Sequence, residues 1–87
     1  MKLRRFWFEF EPGSELPMGL SLGCGATARD YDDAIQLMRD TVFAGREVPS
    51  ISRSIEDVDV SELDPDHVRP NMGNVTARGI WFPLGYH

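Results

Sequence analysis

A chain of 87 residues provides for one domain (1–87), and a domain of this size buries only about 60–65% of the surface its unfolded form exposes. Hydrophobic residues make up 41% and charged residues 26%, the balance of a folded soluble protein, and no run of about 18 apolar residues is available to span a membrane. The net charge of −5 is concentrated in one block, where Glu56, Asp57, Asp59, Glu62, Asp64 and Asp66 stand with no basic residue among them. That pattern argues against a general phosphate-binding surface and permits a basic protein partner.

The basic, aromatic start MKLRRFWFEFEPG imitates a signal peptide, but its apolar part is short and is interrupted by Glu9 and Glu11. Leu3 to Phe10 alternates with period two and predicts a strand, with Phe6, Phe8 and Phe10 facing the core and Arg5, Trp7 and Glu9 facing away. Trp7 on that second face needs cover, or a partner. After a connection containing Pro12, Gly13 and Pro17, Leu20 to Ala28 predicts a second strand. Its Leu20, Leu22, Cys24, Ala26 and Ala28 share one face, and it pairs with the first strand as an antiparallel hairpin.

Asp30 is placed to cap a helix from Tyr31 to about Ala44, with Asp32 and Asp33 at the positive end of its dipole and Gly45 just past its end. Ala34, Leu37, Met38, Thr41 and Val42 form one stripe at helical spacing, with Ile35 beside it. Ser50 to Val58 predicts a third strand in which Ile51 and Ile55 share a face, while Val58 and Val60 fall in the opposite phase. A bulge or strand end near Glu56 and Asp57 accounts for that change. A turn or short 3₁₀ segment over 61–66, turns around Pro70, Gly73 and Asn74, and a short fourth strand from Gly79 to Phe82 complete the chain.

The fold class implied is α+β, a β-β-α-β-loop-β domain with one helix packed on one face of a mainly antiparallel sheet. The crossover through the helix makes the third strand parallel to the second. The first strand carries large side chains on both faces and belongs in the centre, which sets the order at 2-1-3 with the fourth strand on an edge.

Several residue groups invite a chemical reading. Cys24, with His67 and Asn71 or Asp64, contains the residue types of a nucleophile–base set. However, Cys24 shares a face with Leu20, Leu22 and Ala26, and as the only cysteine it reads as a small core residue in a reducing, cytoplasmic setting. Its neighbours Gly23 and Gly25 suggest close backbone approach. Asp57, Asp59 and Ser61 have the 1, 3, 5 spacing of a calcium loop, but Glu62 stands where that loop needs glycine and Val68 where it needs glutamate. Asp64, Asp66 and His67 are too close together in sequence to converge on a transition metal without further ligands, and His87 is the only other histidine. No metal or cofactor is expected.

His67 with Asp64 could serve as an acid–base pair, since histidine titrates near neutrality. The plainer role for Asp64 is to cap a turn through the backbone N–H groups of Asp66 or His67, leaving the imidazole to a loop carbonyl and Asn71 to brace the loop. Arg69 and Arg78 are expected to close over the acidic block. Trp7, Trp81, Phe82 and Tyr86 are core or lid aromatics in so small a domain, and are also of the type that anchors protein interfaces. Stacking on nucleic acid would need positive charge around them, and only Lys2, Arg4 and Arg5 lie near Trp7.

The tail block LDPDHVRPNMGNVTARGIWFP, with the preceding EDVDVS, resembles an uncharacterised family of small bacterial proteins over a third to a half of the chain. In size, acidity and build the chain is also similar to bacterial immunity proteins that neutralise partner toxins, a likeness of type carried by no motif. The leading expectation is a protein-binding module that meets a basic partner through Asp57, Asp59, Glu62, Asp66, Arg69 and Trp81, with neither nucleic acid nor membrane as partner. The rival is a small enzyme or small-molecule binder whose pocket is lined by the 63–75 loop, with Asp64, His67 and Asn71 as its chemical groups. A homodimer through an exposed strand edge or Trp7 is compatible with both.

Overall fold

Phe6 and Phe8 lie on one side of a four-stranded antiparallel sheet and Trp7 on the other, and both sides are covered. The computed structural model describes residues 2–13, 15–16 and 19–84. Tyr86, His87 and Pro17, all weighed above, lie outside the described residues.

The strands are β1 (Arg4–Phe10), β2 (Cys24–Ala28), β3 (Ile51–Glu56) and β4 (Gly79–Phe82), in spatial order β3-β1-β2-β4. β1 is central as its two-sided bulk requires, and β4 is an edge. β1 pairs antiparallel with both β2 and β3, so β3 runs in the same direction as β2 without pairing with it. The helical segment between them covers one face. There Phe6, Phe8, Cys24, Ala26 and Ile80 from the sheet meet Ala34, Met38 and Val42, with Leu20 and Phe43 closing the ends.

That helical segment starts as expected and ends differently. Asp30 accepts a hydrogen bond from Asp33 N at 2.8 Å, a capping contact that contributes about 1 kcal/mol in comparable helices. The regular helix α1 spans Tyr31–Leu37 and then widens over Met38–Val42, where Phe43 N donates to Met38 O at 3.0 Å, five residues back. The Thr41 hydroxyl donates to Leu37 O at 2.6 Å and so competes for the ordinary helical acceptor. Thr41 is therefore exposed rather than part of the buried stripe. Ala44 (φ +52°) and Gly45 (φ +85°) together make the left-handed exit expected at Gly45 alone.

Two strand expectations are corrected. Leu20 to Ala28 is not continuous, because Leu20–Leu22 forms a 3₁₀ turn and Gly23 breaks it from β2 with φ +132°. Leu22 is thereby turned outward and is 43% exposed. In β3, the register passes from Glu9↔Arg53 to Phe10↔Ile51, leaving Ser52 as an extra residue. This bulge rotates Ile51 to the helix side, whereas Ile55 opposes Trp7 on the other side, so the two isoleucines do not share a face. The expected strand end at Glu56 is present, and Asp57 turns the chain with φ +55°.

The long segment after β3 is the cover that Trp7 requires. It folds back over the second face of the sheet, where Trp7, Val58, Val68, Trp81 and Phe82 form a second buried cluster flanked by Ile55, Leu63, Met72 and Val75. Short 3₁₀ turns at Val60–Glu62 and Arg69–Asn71 carry it across. Buried Thr27 fixes its far end, its hydroxyl donating to Val75 O at 2.7 Å, while Gly73 N donates to Trp81 O at 2.7 Å along the outer side of β4.

Candidate functional site

The turn at Asp57 carries the acidic block out along the open rim of the second core. Four of its acids, Asp57, Asp59, Glu62 and Asp64, line one cleft of about 550 Å³ together with Glu9 from β1. Trp7, Leu22, Ile55, Val58, Leu63 and Val68 supply its apolar walls, and Arg53 is its single basic group. The cleft is thus an apolar trough with a strongly negative rim.

The rim acids are held to different degrees. Arg4 reaches Glu56 at 3.3 Å and Asp57 at 3.1 Å, so the N-terminal strand pins the start of the block. Glu9 accepts from Trp7 Nε1 at 3.0 Å and faces Arg53 at 3.7 Å. Asp59 accepts from the Ser61 hydroxyl at 2.6 Å and from Ser61 N at 3.0 Å, and these bonds, the hydroxyl first, lower its pKa. Glu62 is exposed and has no side-chain partner among the described residues. Of the five cleft carboxylates, Glu62 is thus the least engaged with the rest of the described chain.

Asp64 performs the turn-capping role. It accepts from Asp66 N at 2.8 Å and from His67 N at 3.2 Å, and its carboxyl is held below the usual range, chiefly by the Asp66 N–H. Its second oxygen lies 3.2 Å from His67 Nδ1, so the imidazole faces a carboxylate and not the loop carbonyl expected for it. Asn71 donates to His67 O at 2.9 Å, a loop brace that leaves the imidazole untouched. Asp66, His67 and Asn71 nonetheless line a shared, shallower cleft of about 350 Å³ with Leu22, Phe82 and Leu84.

The remaining candidates lie elsewhere. Trp81 is 1% exposed, so it supports the site from beneath and is not part of a contact surface; its Nε1 is buried with no hydrogen-bond partner among the described residues. Arg78 does not close over the acidic block but bonds Asp33 at the start of α1, and Arg69 is exposed with no ion pair to a described residue. Cys24 is fully buried and desolvation pushes its thiol up to about 12, which suits a core residue and not a nucleophile. Among the described residues no three His, Cys, Asp or Glu side chains converge as a metal-binding group, and no helix is long and apolar enough to cross a membrane. Sequence reasoning missed Glu9, Arg53 and the apolar trough itself. The alternation that put Glu9 beside Trp7 was the available signal for the first.

No family model, curated protein or solved structure matches this chain.

Proposed function

We propose that this protein is a small cytoplasmic protein-binding module that takes a basic partner at the acidic cleft, in the manner of a toxin-neutralising immunity protein or a similar inhibitor. The observation that carries the reading is the joining of five carboxylates to an apolar trough around a single basic group, Arg53. Carboxylates around an apolar floor suit lysine and arginine side chains, whose aliphatic stems bury while their charged heads meet the rim. The test is capture from a native host lysate by the wild-type chain and by a variant with Asp57, Asp59 and Glu62 reversed to lysine. A Glu62→Lys, Asp66→Lys version alters the surface charge without touching the bonds of Asp57 and Asp59. A defined basic protein should bind the wild type, dissociate as salt is raised, and be lost from both variants. Equal capture by all three chains removes the proposal.

The shared cleft of Asp66, His67 and Asn71 supports a second reading, a small-molecule site or small enzyme beside the 63–75 loop. It is the weaker one, because Asn71 and Asp64 are both engaged with backbone. A ligand whose stabilising effect on thermal unfolding disappears in His67→Gln would favour it over partner binding.

A further inference from the structure

The two edges of the sheet are treated differently. The outer side of β4 is partly taken by the returning loop, where Gly73 N donates to Trp81 O. β3 pairs with β1 on one side only, and its other side carries no strand or loop pairing among the described residues. The bulge at Ser52 leaves Arg53 to Glu56 as its regular run, along which Arg53, Ser54 and Glu56 are exposed, and no proline lies within its six residues. An uncovered edge of this kind is a template for one more strand. The edge also leads directly into the acidic cleft, since Arg53 and Ile55 of β3 line the cleft and the chain turns at Asp57 into its rim.

We infer that β3 accepts an extended, basic segment of a partner protein as a fifth strand, with alternate cationic side chains of that segment entering the cleft beside Ile55. Backbone hydrogen bonds to the β3 edge would hold the segment, and the period-two alternation of a strand would place every second side chain over the cleft. Charge selects the occupant. A second copy of this chain brings the same net charge of −5 and offers Arg53 as the only basic residue of its own β3, whereas a cationic segment complements Asp59 and Glu62. The inference rests on the partner-binding reading above and adds the mode of binding.

The test uses the full chain and a library of peptides of about ten residues that alternate threonine or valine with lysine or arginine. Binding is followed by titration calorimetry and by amide exchange at residues 51–56. At least one basic peptide should bind, slow exchange in 51–56, and lose about tenfold or more in affinity in one of two forms N-methylated along either edge of its backbone. Its glutamate-substituted counterpart should not bind. Binding that tolerates methylation on both edges, or leaves exchange at 51–56 unchanged, overturns strand addition. Recognition by the acidic cleft then still stands if Glu62→Lys weakens that same peptide, and fails with it if Glu62→Lys has no effect. Failure of every basic peptide overturns strand addition, while the lysate capture decides the parent reading separately. Protection of 51–56 that rises with protein concentration and needs no peptide assigns the edge to a second copy, and also overturns the proposal.

Discussion

The indole of Trp81 lies directly on Gly25 of β2, so close that a β-carbon at residue 25 would overlap its six-membered ring. Trp7 stands in the same relation to Gly23. The two indoles stack with centroids 6.1 Å apart, and together they make the floor of the second core. The Gly-Cys-Gly run, at the entry to β2, thus leaves room for two tryptophans on one side of the chain while Cys24 fills the other. Gly25→Ala should destabilise the protein by about 1–3 kcal/mol through overpacking. The loss would be read as a lower urea midpoint at unchanged slope. In a Trp81→Leu background the added cost of Gly25→Ala should shrink, because the atoms it meets are gone; equal costs in both backgrounds would separate the glycine from the indole.

Most of the architecture was legible because it rests on local patterns. The alternation of Phe6, Trp7 and Phe8 marked a central strand with bulk on both faces, though it left open whether cover or a partner meets Trp7, and Asp30 with its following apolar stripe marked the helix start. What escaped depends on register and on distant contacts. The single extra residue at Ser52 puts Ile51 and Ile55 on opposite faces, and nothing in ISRSIE announces it. The 3₁₀ turn at Leu20–Leu22 has the same composition as a strand and is specified only by the left-handed backbone at Gly19 and the unusual one at Gly23. The acidic block was visible as charge, but its apolar trough is assembled from β1, β3 and the loop and has no sequence signature.

Arg78 and Asp33 are 45 residues apart, and their pairing was equally unreadable from local pattern. Asp33 collects Arg78 Nε at 2.9 Å and Arg29 N at 2.9 Å, so one carboxylate ties the start of α1 to the end of the covering loop. Arg78 first and Arg29 second hold its pKa well below the ordinary carboxylate range. Asp33→Ala should cost on the order of 1 kcal/mol at neutral pH. The sign of the pH dependence follows from the lowered folded-state pKa. The stabilisation is fully present above the unfolded-state pKa near 3.9 and is lost as pH falls below it toward the folded value. The stability gap between wild type and Asp33→Ala should be constant from about pH 7 to pH 5 and close only in stronger acid. A gap that closes near neutrality would point to a different group.

Thr27 is the one buried polar residue of the sheet that reaches the loop, and it does so through a single hydroxyl. Thr27→Val keeps the shape, removes the donor and leaves Val75 O without its partner. A cost of about 1 kcal/mol is expected, with faster amide exchange over 73–78 and little change in α1. Uniformly faster exchange across the sheet would mean that the bond supports the whole fold and not the loop.

Cys24 reports on the other core. It sits among Phe8, Leu20 and Met38 on the helix side, and burial pushes its thiol up from 9.0 to about 12. A thiol reagent at pH 8 should therefore find it inert in the native protein, and modification should occur only through opening of the chain. The reaction rate should fall in step with global stability as stabilising salt is added, and should rise in Gly25→Ala by the factor that its equilibrium destabilisation dictates. The same shift sets an alkaline limit. The unfolded thiol ionises from about pH 9 while the folded one does not, so the contribution is intact below the unfolded-state pKa and declines as pH rises from there to about 12. Cys24→Ala should lack that alkaline component and pay instead a small, pH-independent cost for lost packing. Rapid labelling of the wild type at neutral pH, with no dependence on stability, would instead show a local opening at β2 that exposes the helix-side core before the domain unfolds.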